Sequence, residues 1–230
     1  VLAAADHPDA AGSGSSRLVT GTHAGYAPLE AALAAEHGAE AALVFGSGYL
    51  ANLGTISALA GEGDLILADK FIHASMLDGA RLSGATLKRF AHNDPAHAKR
   101  LLAEHRASHR HCLLLTESIF SMDGDAAPIP ALAALAEAHG AWLLIDAAHS
   151  LTPPPAVPSA VWIGTLSKRL AALGGYVAAS RAVIDYLVAH ARPAIFSTAL
   201  PPAVTASALA ALHVAQAEPE RARIAQARAA

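Results

Sequence analysis

The sequence predicts an α/β fold organised around a largely parallel sheet, and three observations predict it. Short apolar runs of four or five residues recur along the chain, amphipathic stretches of helical length separate them, and glycine or proline marks the joints. Strands buried on both faces of a parallel sheet read as such continuous apolar runs, because neither side meets water.

Taken in order, the predicted strands are Ala42–Phe45, Leu65–Ala68, Thr86–Phe90, Cys112–Thr116, Trp142–Asp146, Val161–Gly164 and Gly175–Ala178. Between them the 3.6-residue period predicts helices over Tyr26–His37, Gly48–Ala60, Ala96–His105 and Ile129–His139. The last is entered through Pro128 and Pro130 and left at Gly140, the usual punctuation of a helix. The segment Thr152–Pro158 carries too many prolines for either regular element and reads as a loop or linker. A final helical stretch, Pro202–Ala229, has no strand of its own to pack on, and both chain ends read as abrupt. This divides the chain into an N-terminal segment over 1–25, a large domain over 26–200 and the start of a connection over 201–230.

Composition narrows the function classes. The 230 residues are 53% apolar and 15% charged, enough to bury a core. A net charge of −3 gives no reason to expect nucleic acid or an anionic membrane as partner. The Ala-rich runs are interrupted well before about 18 residues, the span of a bilayer. No export signal opens the sequence, and the lone Cys112 beside Leu113–Leu115 reads as a buried, reduced thiol, so a cytoplasmic location is expected. His105, His109 and His111 include a pair at zinc-site spacing, but they sit among Arg106 and Arg110 and read as a solvated helix end.

Three places carry chemistry. In Gly164-Thr165-Leu166-Ser167-Lys168 a lysine follows an apolar strand, where burial would lower its pKa and make it nucleophilic toward an aldehyde. A surface lysine at a helix start is the plainer alternative. In Trp142–Asp146 an apolar strand delivers a carboxylate at its C-terminal end, where ligands of open α/β sheets gather, and His149 follows at i+3. That carboxylate suits a protonated pyridine nitrogen, although Asp146 reads equally as a helix cap. In Phe45-Gly46-Ser47-Gly48-Tyr49-Leu50-Ala51-Asn52 a strand end, a glycine turn and a helix start offer free N–H groups and the Ser47 hydroxyl to a phosphate. A glycine turn alone is also a common structural feature, and this one lacks the dinucleotide glycine spacing.

In that order, the phosphate turn, the aspartate and the lysine meet the needs of pyridoxal 5′-phosphate (PLP) on one sheet. From about Gly12 to Ala203 the chain resembles the α-oxoamine synthases of the fold-type I PLP-dependent enzymes. Gly12–Thr22 resembles their glycine-serine entry segment, and its Ser16-Arg17-Leu18-Val19 favours the branch that serves biotin synthesis. Asp69–Ser75, Thr116–Asp125 and Phe196–Pro202 are similar to three further signatures. The resemblance implies a fold-type I large domain, an aspartate aminotransferase-like mostly parallel sheet flanked by helices. It implies that Lys168 carries PLP as a Schiff base, that His73 stacks on its ring and that Asp146 keeps the ring nitrogen protonated. Ser121 and His149 are then expected near the phenolic oxygen, with Ser47, Gly48, Tyr49 and Thr165 holding the cofactor and Arg17 the substrate. Thr198 is expected to reach the phosphate in the partner subunit of a homodimer with a shared active site.

The implied reaction is a decarboxylative condensation of L-alanine with pimeloyl-CoA, or its acyl-carrier-protein equivalent. Freed Lys168 removes the Cα proton, the carbanion attacks the thioester, CoA leaves and CO2 is lost. Ala147 departs from the family pattern, which has an acidic residue there, and the connection from His149 to Lys168 is shorter and proline-rich. The family's C-terminal domain, with its carboxylate-holding arginine, has no counterpart in this sequence. A sibling enzyme joining glycine to acetyl-CoA or succinyl-CoA, and a catalytically silent PLP-fold binding protein, are the alternatives.

Overall fold

A computed structural model describes residues 11–152, 157 and 159–229. The first ten residues and most of the expected proline linker, 153–156 and 158, therefore lie outside the described residues.

Seven strands form one sheet: β1 (Ala41–Phe45), β2 (Leu65–Asp69), β3 (Thr86–Phe90), β4 (Cys112–Glu117), β5 (Trp142–Asp146), β6 (Val161–Thr165) and β7 (Gly175–Ala179). Their spatial order is β1-β7-β6-β5-β4-β2-β3. Every neighbouring pair is parallel except those of β7, which runs antiparallel to both β1 and β6. The reason lies in the connection after β6. Residues 166–174 are too few for a crossover helix, so the chain turns back as a hairpin. Leu166 N–H donates to Gly174 C=O (2.9 Å) to close it.

Helices cover both faces. On one side lie α1 (Tyr26–Glu36), α4 (Pro95–His105), α5 (Ile129–Ala138) and α8 (Pro202–Ala217); on the other lie α2 (Gly48–Leu59), α3 (Ala74–Ser83), α6 (Arg181–His190) and α7 (Arg192–Phe196). A last helix, α9 (Glu220–Ala229), follows a break at Glu218-Pro219. Strand alternation divides the core between the layers: in β2, Leu65 and Leu67 join one cluster while Ile66 and Ala68 join the other. The final helical stretch does lack a strand to rest on. It solves this by packing Ala208 and Leu212 of α8 into the cluster that holds Leu29 and Leu33 of α1.

The seven strands expected from the sequence all form, and the four expected helices start and stop within one residue of the expected bounds. Helices α3, α6 and α7 were not anticipated. His73 and Ser180 cap the first two, accepting the Ser75 and Val183 N–H groups. Cys112 is buried, and burial pushes its thiol up to about 11, as expected of an inert core cysteine. Two of the three histidines serve the end of α4: the His109 ring nitrogen Nδ1 bonds the His105 carbonyl (2.8 Å). Ala147, where the family pattern has an acid, is buried in the apolar cluster, and its N–H donates to Ile163 C=O (2.7 Å).

One glycine ties the sheet to the turn that follows β1. A Cβ added at Gly175 would sit 2.4 Å from both the Gly48 nitrogen and the Ser47 carbonyl carbon. Only a bare backbone there lets the start of α2 lie against β7. Gly175→Ala is therefore expected to cost about 1–3 kcal/mol in urea unfolding, whereas Gly61→Ala, which meets only an ordinary contact at 3.9 Å, should stay within about 0.5 kcal/mol. Equal midpoints for the two variants would refute this packing.

Candidate active site

Parallel strands bring their C-terminal ends to one edge, and this edge is unusually acidic inside. Asp69, Glu117 and Asp146 end β2, β4 and β5, and all three are buried. Beside the last two lies a cleft of about 260 Å³. Its walls include Ser47, Gly48 and Tyr49 from the start of α2, His73 from the cap of α3, Asp146 and His149 after β5, and Thr165 and Lys168 after β6. A larger hollow of about 440 Å³ opens at the opposite end of the strands, beside Cys112 and Trp142. Its charged lining residues Asp64 and Arg110 pair with each other, and no lysine reaches it. The smaller cleft gathers the convergent chemistry.

Asp146 is only 4% exposed. It does not cap a helix. Its Oδ2 accepts a hydrogen bond from Asn52 Nδ2 (2.7 Å), and its Oδ1 accepts the Ala148 N–H (2.8 Å). Among the described residues no lysine, arginine or histidine forms an ion pair with it. The same Asn52 nitrogen donates to Ser75 Oγ (3.0 Å), which lies 2.7 Å from His73 Nδ1. The aspartate and the histidine are thus aimed by one buried amide.

Lys168 differs from expectation. The sequence suggests a buried amine, but the side chain is exposed, because it sits in the hairpin between β6 and β7 rather than at a covered strand end. Its Nζ donates to His149 Nε2 at 2.8 Å. Burial and the neighbouring Lys168 charge together hold the His149 pKa below its ordinary value, which keeps that nitrogen free to accept. Thr165 Oγ1 braces the same hairpin through Gly174 C=O (3.1 Å) and Ser167 Oγ (2.7 Å). Ser47 Oγ accepts the Leu50 N–H (3.1 Å), so it serves as the cap of α2 and keeps only its own hydrogen to give. Tyr49 Oη donates to Asp78.

Three expected residues stand apart from this cleft. Ser121 is exposed outside it. Arg17 pairs with Glu30 and lies 4.0 Å over the Tyr26 ring. Thr198 is exposed and shares a small depression with Arg17 and Gly46, on the far side of the glycine turn. The sequence reading in turn missed Asn52 and Glu117. Glu117 carried the same signal as Asp146, a carboxylate closing an apolar strand, whereas Asn52 closes the segment read as a phosphate turn but gave no sign that its amide would reach Asp146.

The family model for aminotransferase class I and II matches residues 1–230. The chain belongs to this family. Its relatives include an 8-amino-7-oxononanoate synthase of Methylobacterium nodulans, 56% identical over 92% of this chain and 56% of that protein. Among solved structures, a serine palmitoyltransferase variant from S. paucimobilis with a bound PLP–myriocin aldimine matches with a TM-score of 0.86 at 32% identity, over 93% of this chain and 56% of that one. An 8-amino-7-oxononanoate synthase from Francisella tularensis matches with a TM-score of 0.71 at 28% identity, over 84% and 58%. The chain thus spans a little over half the length of these relatives. Its architecture is the fold-type I large domain that the sequence resemblance implies. Among the described residues, no helix is long and apolar enough to cross a membrane.

The lowered His149 pKa has a checkable sign. The folded chain binds this proton less readily than the unfolded chain, so stability is undiminished above the ordinary value of 6.5 and is lost as pH falls through it. Histidine NMR should place the His149 midpoint below 6.5, and Lys168→Ala should raise it part of the way, leaving the share due to burial. A midpoint unmoved by that substitution would remove Lys168 as a cause.

Proposed function

We propose that this chain is the cofactor-binding part of a PLP-dependent acyltransferase, an 8-amino-7-oxononanoate synthase of biotin biosynthesis. The reaction joins L-alanine to pimeloyl-CoA, or the acyl-carrier-protein thioester, and releases CoA and CO2. The observation that carries this reading is the buried Asp146 carboxylate, held by two N–H donors and facing a cleft that also presents Lys168. A buried anion without a protein cation is costly, and a protonated pyridine nitrogen is the partner that makes it favourable.

The rest of the cleft fits PLP. The first-turn N–H groups of α2 have no intrahelical partners, and the bare Gly175 backbone lets that turn approach the sheet. Ser47, Gly48, Tyr49 and Thr165 would hold the phosphate end, with the His73 ring beside the cofactor ring. When bound, PLP supplies an electron sink for a carbanion next to the substrate amino group.

The chain's own groups do the remaining work. Asp146 would keep a proton on the cofactor's ring nitrogen. Lys168 would hold the cofactor and supply the amine that moves the proton at Cα of the amino acid. His149 accepts a hydrogen bond from Lys168 Nζ and so orients that amine. His73 is kept in place by Ser75 and Asn52. Ser121 is assigned to the phenolic oxygen and Arg17 to the substrate on the family resemblance alone.

The choice of L-alanine and a pimeloyl thioester rests on sequence. A synthase of this name is 56% identical to the chain, whereas the solved structures, at 28% for a synthase and 32% for a serine palmitoyltransferase, do not separate the two activities. A homodimer with a shared site is part of the same reading. Thr198 is exposed outside the cleft, next to a Phe196 side chain that is 69% exposed, and Leu18 and Val19 are exposed nearby in sequence to Arg17. These apolar groups suit coverage by a second subunit, which would bring Thr198 to the partner's phosphate.

Borohydride reduction of the chain mixed with PLP, followed by peptide mass spectrometry, should label Lys168. Lys168→Ala should lose both the label and the visible absorbance of bound cofactor; labelling at Lys70 or Lys88 would overturn the assignment. In the full-length enzyme, Asp146→Asn should still bind PLP but lose on the order of 10³-fold or more in turnover, about 4 kcal/mol. A loss below about tenfold would end the electron-sink role of this aspartate.

A further inference from the structure

Glu117 lies in the cleft but has no part in the chemistry above. Strand register pairs it directly with Asp146 across β4 and β5, and in a parallel ladder such partners are about 4.8 Å apart along the sheet. Both side chains are buried, Glu117 at 2% exposure and Asp146 at 4%. Their surroundings are unequal. Asp146 receives two N–H donors, from Asn52 and Ala148, one on each oxygen, whereas the Glu117 carboxyl, near the backbone N–H groups of His73 and Ser121, keeps its Oε1 buried without any hydrogen-bond partner.

Two neighbouring buried carboxyls do not both ionise cheaply, and the one with donors keeps the charge. The other groups that face them are Lys168, from the hairpin after β6, and the two cleft histidines, His73 and His149. Lys168 is exposed and its Nζ is engaged with His149, so it offers Glu117 only a screened attraction. We propose that Glu117 and Asp146 act as a carboxyl pair holding one proton, on Glu117, and that Glu117 gives this proton up when a cationic nitrogen heterocycle seats against Asp146. Glu117 is then a positioning residue: it keeps the ligand-free cleft at one negative charge and adds a second when the ring arrives. The balance is simple. A neutral pyridine ring takes the proton from the Glu117 carboxyl, and an already protonated ring sends it to solvent. Burial first and the Asp146 charge second raise the Glu117 pKa to about 7, outweighing the lowering effect of the His73 and Ser121 backbone N–H groups and of Lys168.

The identity of the cation rests on the PLP reading above, but the proton on Glu117 does not. Infrared difference spectra of the ligand-free chain against Glu117→Gln test the latter. At about pH 6 the wild type should show a protonated-carboxyl stretch that Glu117→Gln lacks, and the band should vanish by about pH 8.5. Its absence at pH 6 would overturn the proposal whatever the ligand. Should Glu117→Gln fold poorly, Glu117→Asp keeps a titrating carboxyl and should retain a band at a shifted position.

Calorimetric titration with PLP at about pH 6, in buffers of different ionisation enthalpy, tests the discharge. The wild type should release about one proton more than Glu117→Gln, with the difference gone by about pH 8.5. Equal proton counts at both pH values would refute the discharge. Failure of PLP to bind the wild type would instead refute the functional reading, and the infrared band would then still decide the state of Glu117.

Discussion

A buried carboxylate without a protein cation is the constraint on which this site turns. Moving an ionised group out of water costs several kcal/mol unless hydrogen bonds or an opposite charge compensate. The chain meets part of that cost at Asp146 through the Asn52 amide and the Ala148 N–H. In the proposed reading the remainder is met by a cationic ligand, which is how a fold converts stability into affinity. A fully satisfied salt bridge at this position would be more comfortable for the free chain and useless for binding a pyridinium.

Much of the surrounding structure follows from holding that group still. Asn52 reaches Asp146 only because α2 begins immediately after β1, and α2 begins there because the Ser47–Gly48 turn can press against Gly175. The same amide extends through Ser75 to His73 at the cap of α3, so two helices and one strand end share a single hydrogen-bond chain. At the end of β2, Asp69 accepts the Phe71 and Asn93 N–H groups and pairs with His92, which also bonds Asp125. That clasp shapes the turn leading to His73. Here a strand-end carboxylate is committed to architecture, whereas Asp146, two strands away across β4, has no cationic partner among the described residues.

The legible part of this protein was the part written in local periodicity. Apolar runs bounded by glycine, proline or polar residues marked the inner strands, because burial on both faces forces continuous hydrophobicity, whereas the edge strand β3, Thr86–Phe90, carries Lys88 and Arg89 and is largely uncovered. Strand-end residues were equally visible: Asp146 and Lys168 each follow such a run directly. Helix α3 was harder to see, since its sequence, Ala74–Ser83, mixes two glycine-like small positions with charge and depends on the His73 cap and on α2 for its place.

What the sequence by itself determined was the set of strands, their apolar character and which chemical groups stand at their ends. Tertiary structure alone decided how those groups meet. It paired Glu117 with Asp146 by strand register, brought Asn52 across 94 residues to the aspartate, and turned β7 back so that Lys168 lies in an open hairpin beside His149. It also left Arg17 and Thr198 together outside the cleft. The physical reason is range. Periodicity and capping act within a few residues and can be read along the chain, while register, burial and hydrogen-bond partners are set only when distant segments pack.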